Sequence, residues 1–94
     1  MVQPEKPRSA LKIYLDILTT VRDQGRAKPT RILYLANLSH DRLVRYVSEL
    51  VSKGLIEEKT EEENRFYTLT QKGTNFLNEV KKAESFVSAF GITI

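Results

Sequence analysis

The chain has 94 residues and a mass of 10.8 kDa, enough for one small domain with its own core but too little for two. Its 15 Lys and Arg against 12 Asp and Glu give a net charge of +3, a surplus too small to establish an anionic partner by itself. The absence of cysteine excludes disulfides, thiol nucleophiles and thiolate metal sites.

The charges are unevenly distributed along the chain. Residues 1–56 hold ten basic and five acidic side chains, residues 57–63 hold five Glu and one Lys, and residues 64–94 hold four basic and two acidic side chains. One acidic segment therefore interrupts a basic chain. No stretch approaches the ~20 apolar residues that span a bilayer, and the N-terminus lacks the apolar run of a signal peptide. We expect a soluble cytoplasmic protein.

The first predicted helix follows a short polar start. Residues 1–9, with two prolines and mixed charges, predict a flexible N-terminal arm. Ser9 then offers an N-cap oxygen, and Gly25 supplies a stop, so we predict a helix over residues 10–24. Its apolar side chains recur at helical spacing: Ala10, Tyr14, Ile17, Leu18 and Val21.

Two further helices are predicted on either side of a short turn. Pro29 opens a helical stretch over residues 30–36, which Asn37 and Leu38 interrupt. Ser39 presents a new N-cap for a third helix over residues 40–53, which ends at Gly54.

The third helix is amphipathic. Residues spaced 100° apart place one broad apolar face on Leu43, Val44, Tyr46, Val47, Leu50 and Val51. The opposite face carries Asp41, Arg42, Arg45, Ser48, Glu49 and Ser52.

A hairpin and a last helix complete the predicted elements. The runs "LIEEK" and "RFYTL" read as strands joined by the polar loop "TEEEN". Thr70 caps a final helix that begins at about Gln71, and the tail "FVSAFGITI" carries no charge. An exposed uncharged tail favours aggregation, so we expect burial between two chains. The predicted dimerisation residues are Phe76, Val80, Ala83, Phe86, Val87, Phe90, Ile92 and Ile94. The alternative is that the helix folds back on its own domain, with Phe76 and Leu77 completing the core.

This order of elements predicts a winged helix-turn-helix fold, mainly α with a small β-hairpin (α+β) and a C-terminal dimerisation helix. The domain would occupy residues 10–70, and residues 71–94 would form the C-terminal helix and apolar tail. In such a fold, the helix after the turn enters the DNA major groove and the hairpin forms the wing.

Two segments resemble the archaeal winged helix-turn-helix DNA-binding family that includes the small dimeric ten-kilodalton chromatin proteins. They are "KPTRILYLANLSHDRLVRYVSELVSKGLIE" and "YTLTQKGTNFLNEV". The resemblance implies binding to double-stranded DNA and a homodimer joined through a coiled coil of C-terminal helices. One departure is that the apolar seam covers only about two heptads before Gly91, which is marginal for a coiled coil.

The predicted DNA contacts lie mainly on the second and third helices. Arg42 and Arg45 would reach phosphates or guanine edges, and serines on the same face would reach phosphates. The alternative is a solvated face in which Arg45 pairs with Glu49. Residues at the start of the second helix would bind phosphates, or would simply be a solvated helix start. The full predicted set is Lys28, Thr30, Arg31, Ser39, His40, Arg42, Arg45, Ser48, Ser52, Lys59 and Arg65.

The acidic hairpin, residues 57–65, admits several interpretations. It lacks the ligand pattern of a calcium loop, and a hairpin tip seldom provides the pocket that a catalytic carboxylate pair needs. We favour a solvated wing held clear of DNA, with only Lys59 and Arg65 able to approach it. The alternative function is a protein-interaction module whose acidic hairpin binds a basic partner.

The remaining polar and aromatic residues carry no catalytic pattern. His40 lacks a metal or triad partner, and we expect Tyr34 and Tyr46 to pack in the core. Without a nucleophile, metal cluster or phosphate loop, the chain is not expected to be an enzyme or to need a metal or cofactor. The sequence therefore predicts a transcriptional regulator or a chromatin protein of the nucleoid.

Overall fold

The computed structural model describes residues 7–93, with four helices and one two-stranded hairpin. In chain order the elements are α1 (Ala10–Gln24), α2 (Pro29–Leu35), α3 (His40–Ser52), β1 (Ile56–Glu61), β2 (Asn64–Leu69) and α4 (Gln71–Ser88). The predicted mainly α architecture with a small hairpin is confirmed. The ends of α2 and α3 differ from the predicted ones by a single residue.

Side-chain caps begin three of the helices where the sequence predicts them. The hydroxyl oxygens of Ser9, Ser39 and Thr70 accept backbone N–H groups at 3.1, 3.3 and 2.9 Å. Gly25 and Gly54 follow the ends of α1 and α3 with φ of 74° and 75°, values that glycine adopts without steric cost. These caps form hydrogen bonds with backbone groups at the helix ends that have no partner within the helix, and they fix the helix boundaries.

The hydrophobic core is centred on α1, which packs against α2, α3, α4 and β2. Its apolar residues recur every three or four positions, so one face of the helix is buried. The largest fully buried side chains come from every layer of the fold: Ile13, Ile17, Leu18, Val21, Ile32, Leu50, Ile56 and Leu77.

The buried face of α3 is narrower than predicted. Leu43, Tyr46, Val47 and Leu50 are buried, but Val44 and Val51 lie outside the core, with 52% and 36% of their surface exposed. The elements α1, α2 and β1 all cover α3 from one side, so residues at the margins of the broad apolar face remain at the surface.

The expected burial of Tyr34 is wrong, whereas that of Tyr46 is confirmed. Tyr34 is 81% exposed, because the short α2 reaches the core chiefly through Ile32. Tyr46 is 8% exposed and packs edge-on against Tyr14, with ring centroids 5.7 Å apart.

The hairpin turn is shorter than the predicted five-residue loop. Thr60 pairs with Arg65 and Glu61 pairs with Asn64, so the strands extend to a two-residue turn. Glu62 and Glu63 form it with φ of 48° and 68°. Positive φ at both central residues is the geometry of a type I′ turn, which usually takes Asn-Gly and which the sequence "EE" does not suggest.

A backbone bridge ties the hairpin to the start of α2. Ala27 and Tyr67 exchange two hydrogen bonds, with N to O distances of 2.9 and 2.8 Å. The wing is therefore fixed relative to α2.

The C-terminal helix α4 divides into two parts. Leu77 is buried, and Phe76 and Val80 pack against the core of their own domain. Beyond them Phe86 in the helix, and Phe90 and Ile92 after its end, are exposed, while Val87 is half-buried. Within residues 7–93, no helix has both the length and the hydrophobicity needed to cross a bilayer.

Candidate nucleic-acid interface

The outer surface of α3 carries most of the predicted contact residues. Arg42, Arg45, Ser48 and Ser52 are exposed, while the four buried residues of the same helix hold it against the domain. The arginines thus stand on a helix whose position is set by its core face, and their charged groups extend into solvent.

A groove of about 290 Å³ runs between α2, α3 and the hairpin. It brings together four of the predicted contact residues, from three different elements: Thr30, His40, Ser48 and Arg65. Val44 lines the same groove, so its exposure places an apolar side chain among polar ones.

The other predicted residues do not all reach this groove. Lys28 is exposed at the start of α2 and lines a second depression of about 260 Å³, together with Glu61 and Phe66. Lys59 is paired with Phe66 in the strand register, so it lies on the sheet face opposite to Glu58 and Tyr67, which line the groove. Arg31 is exposed on α2. The Ser39 hydroxyl already accepts the Arg42 backbone N–H as the α3 cap.

Most of the acidic hairpin is paired within the domain. Glu57 lies 4.0 Å from the Lys59 ammonium nitrogen, and Glu58 lies 3.5 Å from Nε of Arg65. Glu61 forms an ion pair with Arg26. Exposed pairs of this kind contribute little to stability, but they reduce the negative field around the wing. The glutamates at the turn, Glu62 and Glu63, make no such pair among the described residues.

Arg26 was not among the residues singled out from sequence. Its guanidinium lies 3.9 Å from the Phe66 ring centroid, in addition to its contact with Glu61. The ion-pair partners are 35 positions apart in the chain, so no local pattern pointed to them.

Tyr14 also has a contact that its sequence position does not indicate. The sequence places it only among the apolar residues of the first helix. Its hydroxyl donates a hydrogen bond to Glu49, and this bond raises the Tyr14 pKa, with burial and the carboxylate charge acting in the same direction. Glu49 also lies 3.6 Å from Nε of Arg45, as the alternative interpretation of the α3 face suggested. The carboxylate therefore joins α1 to an arginine on the exposed face of α3.

Arg8, from the predicted arm, makes fixed contacts with the helix-turn-helix. It donates to Asp16 at 2.8 Å and to the carbonyl oxygens of Ala36 and Asn37 at 2.7 and 2.6 Å. These carbonyls belong to the turn between α2 and α3, so Arg8 links that turn to α1. Residues 1–6 of the arm lie outside the described residues.

Comparison with protein families assigns the chain to a family. Across residues 7–93, no group of three or more His, Cys, Asp or Glu side chains could hold a metal ion. A family model described as winged helix-turn-helix matches residues 7–88. The chain belongs to the winged helix-turn-helix family. This membership confirms the family that the sequence resembles and supports the expectation that the protein is not an enzyme.

Solved winged helix-turn-helix structures superpose on most of the chain. Sso10a-2, a DNA-binding protein from Sulfolobus solfataricus, is 27% identical with a TM-score of 0.74, and the match covers 89% of this chain and 90% of that one. No curated protein matches the sequence significantly.

Two larger proteins share the fold at lower identity. A MarR family transcriptional regulator from Silicibacter pomeroyi is 23% identical, with a TM-score of 0.73 and coverage of 82% of this chain and 53% of that one. BpsR from Bordetella bronchiseptica, whose DNA binding is regulated by 6-hydroxynicotinic acid, is 19% identical, with a TM-score of 0.72 and coverage of 82% and 58%. The winged helix-turn-helix chain thus spans little more than half the length of these two proteins.

Proposed function

We propose that the protein binds double-stranded DNA through α3 and acts as a transcriptional regulator or a chromatin-associated protein of the nucleoid. The observation that carries the proposal is the two-sided character of α3. Four buried residues fix one side, and Arg42, Arg45, Ser48 and Ser52 occupy exposed positions elsewhere on the helix. A helix held in this way fits a major groove about 12 Å wide. Family membership and the similarity to the DNA-binding protein Sso10a-2 support the same function.

Contacts to the DNA backbone would come from the start of α2 and from the hairpin. Thr30 and Arg65 lie across the groove from α3, and Lys28 and Arg31 are exposed near the bridge that ties α2 to the wing. Cations and hydroxyls in such positions contact phosphates and set the orientation of a protein on DNA without reading the sequence. Their rigid connection to α3 fixes that orientation.

The wing turn is expected to stay clear of the phosphates. Glu62 and Glu63 protrude at the tip of the hairpin, where a close phosphate would meet two negative charges. Three of the five glutamates of the hairpin are already paired with cations of their own domain. This pairing leaves less acidic surface for the alternative function, in which the hairpin binds a basic partner protein.

We further propose a homodimer formed by the outer half of α4 and the residues after it. Phe86 and Phe90 are 69% and 70% exposed and pack against each other edge-on, with centroids 5.5 Å apart. Ile92 continues this apolar surface, along with Ala83 and Val87. Phe76 and Val80 serve their own core, so the interface would lie nearer the C-terminus than the predicted seam. Ile94 lies outside the described residues.

Equilibrium titration of a fluorescent duplex at several salt concentrations tests the DNA-binding proposal. The logarithm of the affinity is expected to fall linearly with the logarithm of salt concentration, with a slope of about −0.9 for each phosphate neutralised. Arg45→Ala should weaken binding, whereas Lys81→Ala, which removes an exposed cation of α4, should leave it within about twofold. An affinity that does not change with salt concentration and is the same in the Arg45→Ala variant would refute the proposal.

A further inference from the structure

The guanidinium of Arg45 lies beside two side chains of its own helix, and a side chain of α1 contacts both of them. Its Nε lies 3.6 Å from Oε1 of Glu49, and its Cζ lies 5.0 Å from the Tyr46 ring centroid. Glu49 accepts the hydroxyl hydrogen bond of Tyr14, which belongs to α1. Tyr14 in turn packs edge-on against Tyr46 at an interplanar angle of 77°. The four side chains form a closed set of contacts around one exposed arginine, here called the Arg45 cluster.

Arg45 uses a different edge of its guanidinium from Arg8 and Arg26. Arg8 and Arg26 bind their carboxylates through terminal Nη atoms. Arg45 meets Glu49 through Nε, and within residues 7–93 neither of its Nη atoms has a hydrogen-bond partner. The two Nη groups form the fork that donates to two acceptors at once, and they remain available to a ligand.

The acceptor pair that fits this fork in a major groove is the guanine edge. Guanine presents O6 and N7 there, and a bidentate arginine on these atoms is the commonest specific protein–DNA contact. A phosphate would also accept the fork, but the Glu49 carboxylate beside Arg45 repels phosphates and has only partial exposure, 35%, to solvent that would screen it. The neighbouring carboxylate therefore favours an uncharged acceptor over a charged one.

We propose that Tyr14 and Glu49 are positioning residues that hold Arg45 for end-on recognition of guanine in the major groove. This inference rests on the proposed DNA binding through α3. Tyr14 keeps the Glu49 carboxylate on the α1 side of the cluster, and Glu49 holds Nε so that the Nη fork extends outward. Arg42 is exposed on the same helix and makes no ion pair among the described residues, which makes it the matched comparison for Arg45.

Three duplexes of about 20 base pairs separate this contact from general affinity. The first alternates guanine and cytosine, the second replaces guanine by 7-deazaguanine, which lacks the N7 acceptor, and the third replaces guanine by inosine, which lacks only the minor-groove amino group. We expect the native protein to bind the 7-deazaguanine duplex about threefold to tenfold more weakly than the guanine duplex. Binding to the inosine duplex should match the guanine duplex within about twofold, because O6 and N7 are retained.

The variants then locate the origin of this preference. Tyr14→Phe removes one hydroxyl and retains the ring that packs on Tyr46, and Glu49→Gln removes the charge while keeping the shape. Both should reduce the preference for guanine over 7-deazaguanine to below about twofold, because the Arg45 fork is no longer held toward O6 and N7. Tyr34→Phe and Arg42→Ala are the controls. Each should keep the native preference, although Arg42→Ala should weaken binding to all three duplexes equally.

The possible outcomes distinguish this inference from the proposed function. Absence of salt-dependent binding to any duplex would refute DNA binding itself. Salt-dependent binding that Arg45→Ala weakens, combined with equal affinity for guanine and 7-deazaguanine duplexes, would overturn the guanine assignment alone. A native preference that survives both Tyr14→Phe and Glu49→Gln would overturn the positioning role. Circular dichroism of each variant verifies that its fold is intact.

Discussion

The Arg26 guanidinium covers the Phe66 ring at 3.9 Å from its centroid and pairs with Glu61 at the far end of β1. Because Arg26 precedes α2, this contact anchors the outer face of the wing to the segment that leads into the helix-turn-helix. Phe66 is only 8% exposed even though it lies on the outer sheet face, away from the main core cluster. A cation outside the hairpin therefore completes the packing of the wing.

Replacing Arg26 is expected to loosen the wing. Arg26→Ala removes a cation–π contact worth about 0.5–1 kcal/mol at an exposed site and uncovers Phe66, so we expect a loss of about 1 kcal/mol in the free energy of unfolding. The free energy of unfolding of Arg26→Lys should lie between those of the native protein and Arg26→Ala, because lysine keeps the charge but not the planar stack. Urea denaturation measures the effect, with Arg22→Ala as the control, since among residues 7–93 the Arg22 side chain pairs only with its neighbour Asp23. Equal stability of the Arg26→Ala and Arg22→Ala variants would contradict this role.

The backbone of the wing turn is strained, and a change of sequence can relieve the strain. Glu62 and Glu63 have φ of 48° and 68°, where a non-glycine residue costs roughly 1 kcal/mol. Changing the pair to Asn-Gly suits a type I′ turn and should stabilise the domain by about 1–2 kcal/mol. The control is Glu62→Gln with Glu63→Gln. It removes the same charges but keeps two non-glycine residues that must adopt positive φ. A thermal melt that ranks this control as equal to Asn-Gly would show that charge, not backbone conformation, sets the difference.

Gly73 is required by packing rather than by backbone conformation. A Cβ at this position would lie 2.0 Å from the carbonyl oxygen of Leu55, a backbone atom that cannot rotate away. Helix propensity predicts that Gly73→Ala stabilises α4 by about 1 kcal/mol, whereas the clash predicts a loss of about 1–3 kcal/mol. We expect the loss, measured by urea denaturation against Gln71→Ala in the same first turn. A stabilised Gly73→Ala variant would mean that α4 can move off Leu55 at little cost.

The Tyr14 hydrogen bond gives stability a dependence on alkaline pH. Its acceptor, the Glu49 carboxylate, raises the Tyr14 pKa above its ordinary value near 10, so the folded protein holds this proton more tightly than the unfolded chain. Stability from this group is fully present below pH 10 and is lost as pH rises through the raised pKa. Tyr14→Phe should show a shallower fall in the free energy of unfolding above pH 10. Spectrophotometric titration should show that Glu49→Gln lowers the pKa of this tyrosine, and an unchanged titration would contradict the assignment of its cause.

The exposed aromatic pair formed by Phe86, in the last turn of α4, and Phe90, just after it, is expected to control oligomeric state. Phe86→Ser with Phe90→Ser removes apolar surface that has no cover in the described chain, so it should convert the proposed dimer to a monomer with little change in helix content. Analytical ultracentrifugation gives the mass directly. The control is Asn78→Ser with Glu79→Ser, two exposed polar positions of the same helix, and it should remain dimeric. A native protein that sediments as a monomer at micromolar concentration would rule out this interface.

Features set by short sequence segments were predictable here. Ser9, Ser39 and Thr70 each cap the helix that follows, and Gly25 and Gly54 end helices, because capping involves residues only a few positions apart. The heptad spacing of the apolar residues on α4 is also visible in the sequence. The alternative that Phe76 and Leu77 complete the core of their own domain is confirmed, but the spacing alone could not choose between it and a dimer seam, because that depends on where α1 lies.

Features that depend on distant residues were missed. Arg26 finds Glu61, and Tyr14 finds Glu49, across 35 positions of sequence in each case. Val44 illustrates a different limit, since angular position on a helix gives the centre of the buried face but not the width that neighbouring elements cover. The two-residue turn was missed because Glu62 and Glu63 adopt positive φ without the usual Asn or Gly.

Amide chemical-shift mapping of the labelled protein during titration with duplex DNA tests the central claim, that α3 is the DNA-binding element. The largest changes are expected at Arg42, Arg45 and Ser48, with smaller ones at Thr30 and Arg65 across the groove. The outer half of α4 and the turn residues Glu62 and Glu63 should change little. Changes confined to the acidic turn or to α4, with α3 unaffected, would contradict DNA binding through α3.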